Sequence, residues 1–312
     1  MGINLSKMKT GESILYHLAK RWPSPIAEQK QELGIDPTSD EYNLNYAMKK
    51  QFLRYIHTGF PYNFYQKKVL EIGCGHGGIS TFFAVNGATE VVGIDLNTFH
   101  LEIANKFKKK IEKDLNIGST GGLNLKFMEM SAYEMNFEPE SFDIIVADNV
   151  FEHFMETDKV LEQSYKILKP GGILVIPAFN SIYSKYGIHL KHALKMPWAN
   201  LFFSEKTICN VVYKLGKENP FIWDAYGGLV NRPTKIKDIR KYGDLNSMTH
   251  ARFHREVKEA GFHLQVFKIK PVSKSFIKEF FRLMYRYKWI QKSIISDVFS
   301  FNVEALLIKP QK

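Results

Sequence analysis

The run Lys68-Val69-Leu70-Glu71-Ile72-Gly73-Cys74-Gly75-His76-Gly77-Gly78 passes from a short apolar segment straight into a loop with four glycines in six residues. An apolar run closed by glycine reads as a strand that ends in a turn. The glycines let the backbone turn tightly and come close to a ligand where a Cβ would collide. Ile79–Asn86 then reads as a helix. The local unit is therefore strand, glycine loop, helix.

Working outward, the same alternation repeats. Glu90-Val91-Val92-Gly93-Ile94-Asp95 is a second strand closing on an acid, followed by an amphipathic helix over 99–113. Glycines 118, 121 and 122 mark a loop before a third strand, Leu123–Met128. Phe142–Ala147 is a fourth strand and nearly all apolar, as expected when both faces are covered. A helix over 156–168 stops at Lys169-Pro170-Gly171-Gly172, and Ile173–Ile176 is a fifth strand. Strands alternating with helices predict an α/β fold with a parallel sheet, and ligands of such sheets bind beyond the carboxyl ends of the strands. The glycine loop, Asp95 and Asp148-Asn149 then share one rim.

Composition agrees. The chain has 312 residues, 45% hydrophobic and 24% charged, which excludes a disordered or fibrous chain. Two cysteines cannot build a disulfide framework, so a cytoplasmic setting is expected. No apolar run approaches the ~18 residues of a membrane span. The net charge of +11 is unevenly spread: +4 over 1–68, −7 over 69–180 and +14 over 181–312. An acidic middle beside a strongly basic end points to divided labour.

The glycine loop alone is ambiguous. Gly73, Gly75 and Gly78 satisfy a dinucleotide-binding spacing, Gly73, Gly75 and Gly77 a tighter one, and a packing turn without ligand also accounts for it. The wider set is more specific. Val69–Gly77, Gly93-Ile94-Asp95, Phe142–Val146, Asn149-Val150-Phe151-Glu152-His153 and Leu168–Gly172 occur in order. Together they resemble the class I S-adenosylmethionine-dependent methyltransferases, in their small-molecule branch. The resemblance covers about residues 66–180 and resumes over 249–270.

That resemblance implies a Rossmann-like seven-stranded sheet in the order 3-2-1-4-5-7-6, with Asn302–Ile308 as the last, antiparallel strand. S-adenosyl-L-methionine would be the cofactor. Gly73, Cys74, Gly75 and Gly77 would pass under its methionine part, with Glu71 near its amino group. Asp95 would bind the ribose hydroxyls and Leu96 pack on the adenine. Ser131 and Ala132 take the positions after the third strand where the family usually carries an acid for the adenine amino group. Asn149 would lie beneath the methionine end. In some quinone-modifying members an acid three residues before the glutamate of the Glu152-His153 pair helps to hold a divalent metal. Here that position is Asn149, a neutral and weaker ligand, and no metal is expected.

Residues 1–65 read as a helical cover, with helices around 11–21 and 40–57 whose Tyr42, Tyr46, Phe52 and Tyr55 could pack over the cofactor. Residues 66–312 would form the methyltransferase domain. Within it, 181–248 is too long for a connection and too aromatic for a disordered linker, and reads as a lid insertion for the acceptor. Its helix 203–216 has a serine start at Ser204 and a glycine stop at Gly216. Residues 275–296 read as one basic, aromatic helix. Three readings stay open for it: a packed helix with a solvated basic face, peripheral contact with an anionic membrane, and nucleic acid.

A methyl acceptor with a hydroxyl needs a base. The candidates are His189 and His192 in the lid, then His153 on the rim; His250 and His254 follow. The leading expectation is O-methylation of a small-molecule, glycan or lipid-linked acceptor. The alternatives are an RNA or protein methyltransferase, and an inactive cofactor-binding regulatory protein. No Asp-Pro-Pro-Tyr or Asn-Pro-Pro-Tyr run, common in enzymes that methylate base amino groups, follows the fourth strand.

Overall fold

The computed structural model describes residues 9–21, 39–117, 121–185, 187–189, 194, 196–218, 245–272 and 276–311. Seven strands form one sheet: β1 (Lys68–Ile72), β2 (Glu90–Asp95), β3 (Leu125–Glu129), β4 (Phe142–Val146), β5 (Leu168–Phe179), β6 (His263–Pro271) and β7 (Ser300–Ile308). Their order is β3-β2-β1-β4-β5-β7-β6, as the resemblance implied. β1 pairs in parallel with β2 and β4, β2 with β3, and β4 with β5, while β7 runs antiparallel to β5. The parallel pairing puts the carboxyl ends of β1 to β4 on one edge.

β1, β2 and β4 are apolar because helices cover both faces. Val69, Leu70, Val91, Ile144 and Val146 are all but inaccessible to solvent. The helix Gly78–Val85 brings Phe82 and Phe83 into a ring cluster with Tyr55, Phe60 and Phe64. β5 is longer than expected and begins at Leu168. The Pro-Gly-Gly turn stays within the strand because Gly171 N–H donates to Lys309 O, and Lys309 N–H to Gly172 O, at the end of β7.

The chain divides into two compact units. One contains residues 39–179, 251–269 and 303–312 and holds the sheet. The other gathers 1–38, 180–250 and 270–302, and apart from the strand ends at 270–271 and 300–302 its regular elements are helices among the described residues. The expected N-terminal cover is thus split. The helix Thr10–Arg21 belongs to the helical unit, where Tyr16 OH donates to Glu218 at 2.7 Å. The helical run from Asp40 to Thr58, with a π-helical stretch over Ala47–Phe52, belongs to the sheet unit. The single helix expected over 275–296 is three short ones, Phe276–Met284, Lys288–Gln291 and Ile294–Val298. Side chains take over the freed carbonyls at the breaks: Gln291 donates to Tyr285 O and Ser296 to Gln291 O.

The helical unit has its own core. Leu15 from the first helix, Ile208, Val211 and Val212 from Glu205–Glu218, and Leu194 and Leu245 are fully or almost fully buried in one cluster with Cys209. Cys209 is therefore a core residue.

Candidate cofactor site

The sheet unit collects the glycine loop, Asp95, Leu96, Ser131, Ala132 and Asn149 beyond the carboxyl ends of β1 to β4. The loop leaves β1 with positive φ at Gly73, Gly75 and Gly77. At Gly77 two constraints coincide. Its φ is +74°, and a Cβ there would lie 2.5 Å from Phe127 and 2.7 Å from Ala104. At Gly73 a Cβ would lie 2.6 Å from a Val150 methyl. Glycine at these positions is thus required by packing as well as by any ligand.

Asp95 ties the second strand to the loop. One carboxylate oxygen accepts Gly75 N–H at 2.8 Å, and the other accepts Asn97 N–H at 2.8 Å. Each oxygen keeps a lone pair for a hydroxyl, the pattern a ribose diol requires. Leu96, next in sequence, is 65% exposed although apolar, a surface on which a flat base can lie. Ala132 is buried. Ser131 Oγ already accepts Tyr133 N–H at 3.2 Å, so its hydroxyl is engaged in a local turn. Asn149 sits at φ +56°, and its N–H donates to Ala178 O at 2.9 Å.

Glu71 is wholly buried and accepts from Ser80 Oγ at 2.5 Å. Burial raises its pKa to about 8, with the charges of Asp148 and Asp95 adding to the shift. Cys74 is buried with its thiol pushed well above its ordinary value by burial, so its backbone rather than its sulfur is available to a ligand. His153 lies in a single 3-10 turn, Phe151–His153, with its N–H donating to Val150 O at 2.9 Å.

Several neighbours of the loop were not anticipated. His76 is 9% exposed, and its Nε2 is buried without a hydrogen-bond partner. Its ring lies 4.7 Å from His100 and 5.5 Å from Tyr46. Burial, then the charge of His100, lowers its pKa to about 4, so it is neutral near pH 7. From the π-helical stretch, Gln51 Oε1 accepts Gly78 N–H at 3.0 Å, capping the helix that follows the loop. Arg54 pairs with the nearly buried carboxylate of Asp148, next to Asn149, and its guanidinium lies 4.6 Å from the ring centre of Tyr55. Of the four aromatics expected to cover the cofactor, Phe52 and Tyr55 are instead core residues against Phe82, and Tyr46 meets the loop at His76. For Tyr46, Gln51 and Arg54 the sequence signal was the helical, aromatic pattern of residues 40–57, whereas His76 and Asp148 stood inside stretches already assigned to the rim.

A tight glycine loop, a two-oxygen acid closing β2, an exposed apolar residue after it and an orphaned buried imidazole nitrogen fit a nucleoside cofactor with a charged tail. A family profile described as a methyltransferase domain matches residues 70–176, the span of this loop and of β1 to β5. Residues 70–176 form a methyltransferase domain of the class I S-adenosylmethionine-dependent kind. S-adenosyl-L-methionine is the cofactor this domain binds. Over 106 residues the methyltransferase is 37% identical to a sterol 24-C-methyltransferase of Candida albicans, covering 34% of this chain and 26% of that one. It is 24% identical over 251 residues to a ubiquinone biosynthesis O-methyltransferase of Marinobacter nauticus, covering 77% and 93%. The chain thus spans about a quarter of the length of the first relative and nearly all of the second. Among solved structures it is similar to phosphoethanolamine N-methyltransferase 2 of Haemonchus contortus bound to S-adenosyl-L-methionine. That match has 17% identity, covers 88% and 58% of the two chains, and has a TM-score of 0.49.

The helical unit of the methyltransferase holds His189. It follows β5 closely, has φ +55°, and its Nε2 is 3.2 Å from Asn180 Nδ2. His192 lies outside the described residues. His250 is fully buried, with Nδ1 2.7 Å from Ser296 Oγ and its N–H donating to Asp297 at 2.8 Å. Shut away from solvent, it is not a candidate base. His254 lies against the Phe267 ring at 4.3 Å, a packing position.

Proposed function

We propose that the methyltransferase moves a methyl group from S-adenosyl-L-methionine to an oxygen of a small-molecule, glycan or lipid-linked acceptor. The match to the ubiquinone biosynthesis O-methyltransferase carries this reading. It runs well past residues 70–176 into the segments that follow the cofactor core, and it spans 93% of that relative.

The bound cofactor supplies an electrophilic methyl on a sulfonium. The chain's own residues have three tasks. Asp95 takes the ribose hydroxyls while its backbone partners Gly75 and Asn97 hold it in place. Glu71, with the backbone of Gly73, Gly75 and Gly77, receives the methionine end; a buried carboxyl that ionises beside the cofactor's ammonium regains in the complex what burial costs it alone. Leu96 and Ala132 provide apolar contact for the adenine, and Asn149 a polar edge. The third task is to hold the acceptor in line, which contributes ~7–11 kcal/mol to lowering the barrier in well-oriented reactions.

An acceptor hydroxyl must lose its proton, and His189 is the proposed base. The Asn180 amide donating to Nε2 leaves the ring proton on Nδ1 and so fixes the tautomer. The acceptor hydroxyl takes the place of that amide at Nε2 and delivers its proton there. A non-glycine residue at φ +55° costs local strain, which persists where the surroundings require that orientation. His192 and His153 are the alternatives.

The test is kinetic. His189→Ala is expected to lower turnover by roughly 10²- to 10⁴-fold, the usual contribution of a positioned base. Cofactor affinity by calorimetry should stay unchanged. Unaltered turnover with the true acceptor removes His189 from the mechanism. The acceptor itself is sought by comparing metabolites and lipids of a deletion strain and its parent for pairs one methylene mass apart.

A further inference from the structure

Residues 276–302 belong to the helical unit, and their sequence left three readings open. The structure separates them. An inner layer is formed by Tyr285 and Ile290, which are buried, and by Phe281, whose ring stacks on Phe299 at 4.6 Å. Outside it, large apolar side chains stand in solvent: Phe280 (55% exposed), Leu283 (54%), Tyr287 (59%), Trp289 (70%), Ile294 (59%) and Ile295 (48%). A packed helix with a solvated basic face would show water its lysines and arginines, not these. Such a concentration of exposed apolar side chains within sixteen residues marks a binding surface rather than ordinary scatter.

The charges within residues 280–295 are of one sign. Arg282, Arg286, Lys288 and Lys292 are exposed. Asp297 is buried, and Glu279 is paired with Arg282 at 3.7 Å. The surface therefore suits an anionic partner. Half of the exposed apolar set, Leu283, Ile294 and Ile295, is aliphatic. Such side chains cannot stack on nucleic-acid bases, whereas they and an amphipathic Trp–Tyr pair suit the boundary between lipid headgroups and acyl chains. No described helix is long and apolar enough to cross a membrane, so the contact is with one leaflet.

We propose that residues 280–295 dock the methyltransferase peripherally on an anionic lipid bilayer, with Phe280, Leu283, Tyr287, Trp289, Ile294 and Ile295 entering the interface and the four cations meeting the headgroups. This deepens the lipid-linked reading above and rests on it only for where the acceptor resides. Vesicle binding is read without turnover, so its failure leaves methyl transfer untouched.

The experiment is sedimentation of the full-length protein with vesicles of phosphatidylcholine alone or with 30 mol% phosphatidylglycerol, roughly the anionic load needed to attract juxtamembrane cations. At least tenfold stronger partition onto the anionic vesicles is expected, weakening as salt is raised. The variant F280S/Y287S/W289S should lose about tenfold in partition with cofactor affinity unchanged. A second variant, R286E/K288E/K292E, leaves the apolar set intact and should abolish the preference for anionic lipid. Brominated lipid should quench the wild type but not Trp289→Phe. Equal or absent partition on the two vesicles overturns the proposal. So does self-association of the wild type that F280S/Y287S/W289S removes, or RNA binding with a steep salt slope in place of vesicle binding.

Discussion

Glu71 is almost fully buried, and its carboxyl is held near pKa 8 by burial. In the unfolded chain it titrates near the ordinary glutamate value of 4.5. Between those values the native state keeps a proton that the unfolded state has lost. Stability from this group is therefore present below about pH 4.5 and is lost as pH rises toward about 8. Glu71→Gln keeps a partner for Ser80 Oγ and removes the ionisation. Denaturant unfolding at pH 5 and pH 8 should show the wild type losing more stability across that window than the variant. Cofactor binding near pH 7 should also release a proton, seen as a buffer-dependent heat that Glu71→Gln lacks. Asp95→Ala is the companion test. It removes the acceptor of two backbone N–H groups and, in the proposed site, of the ribose hydroxyls. At ~1.5–3 kcal/mol for each hydrogen bond to a charged group, cofactor affinity should fall by at least about 100-fold. Asp95 was readable from sequence because an acid ending the second strand has one position on the rim. His76 was not. As one residue inside a glycine loop it carried no periodicity, and its importance comes from Tyr46 and His100, which the fold brings to it.

At the scale of elements, the glycine loop is fixed by what packs over it. Gly77→Ala forces a left-handed conformation on alanine and drives its Cβ into Phe127 and Ala104. The expected loss is about 2–4 kcal/mol, from the left-handed penalty plus overpacking, measured by denaturant midpoint at constant slope. Gln51→Ala should act more mildly, since it frees a single capping interaction at Gly78, and should cost ~1 kcal/mol. The strands and their alternation with helices were legible because apolar runs ending in glycine or acid have few other readings. The bounds of β5 were less so, since Pro170-Gly171-Gly172 reads locally as a turn and becomes strand only through Lys309, the residue after β7. The continuous aromatic spacing of 276–298 hid its two breaks for the same reason. What ends a short helix there is a side chain reaching back to a carbonyl, and no pattern of hydrophobicity encodes that.

At the scale of the whole molecule, the charge divides along the two units. The helical unit carries 23 basic and 11 acidic side chains, a net of +12, and the sheet unit 20 and 21, a net of −1. The sequence showed this asymmetry as an acidic middle and a basic end. It did not show that residues 1–38 join the basic part, because the contacts responsible link distant residues, such as Tyr16 with Glu218. Each unit has a separate buried cluster, Leu15 through Leu245 in one and Ala47 through Leu306 in the other. The residues assigned to the cofactor, from Glu71 to Asn149, all fall in the sheet unit. Binding to one unit stabilises that unit by mass action, ~2.7 kcal/mol at a ligand concentration 100 times its dissociation constant. Scanning calorimetry of the full chain should therefore resolve two transitions once S-adenosyl-L-methionine is present. The transition of the sheet unit should move up by several degrees, and Asp95→Ala should abolish the movement. A single transition that shifts as a whole would show instead that the two cores unfold cooperatively.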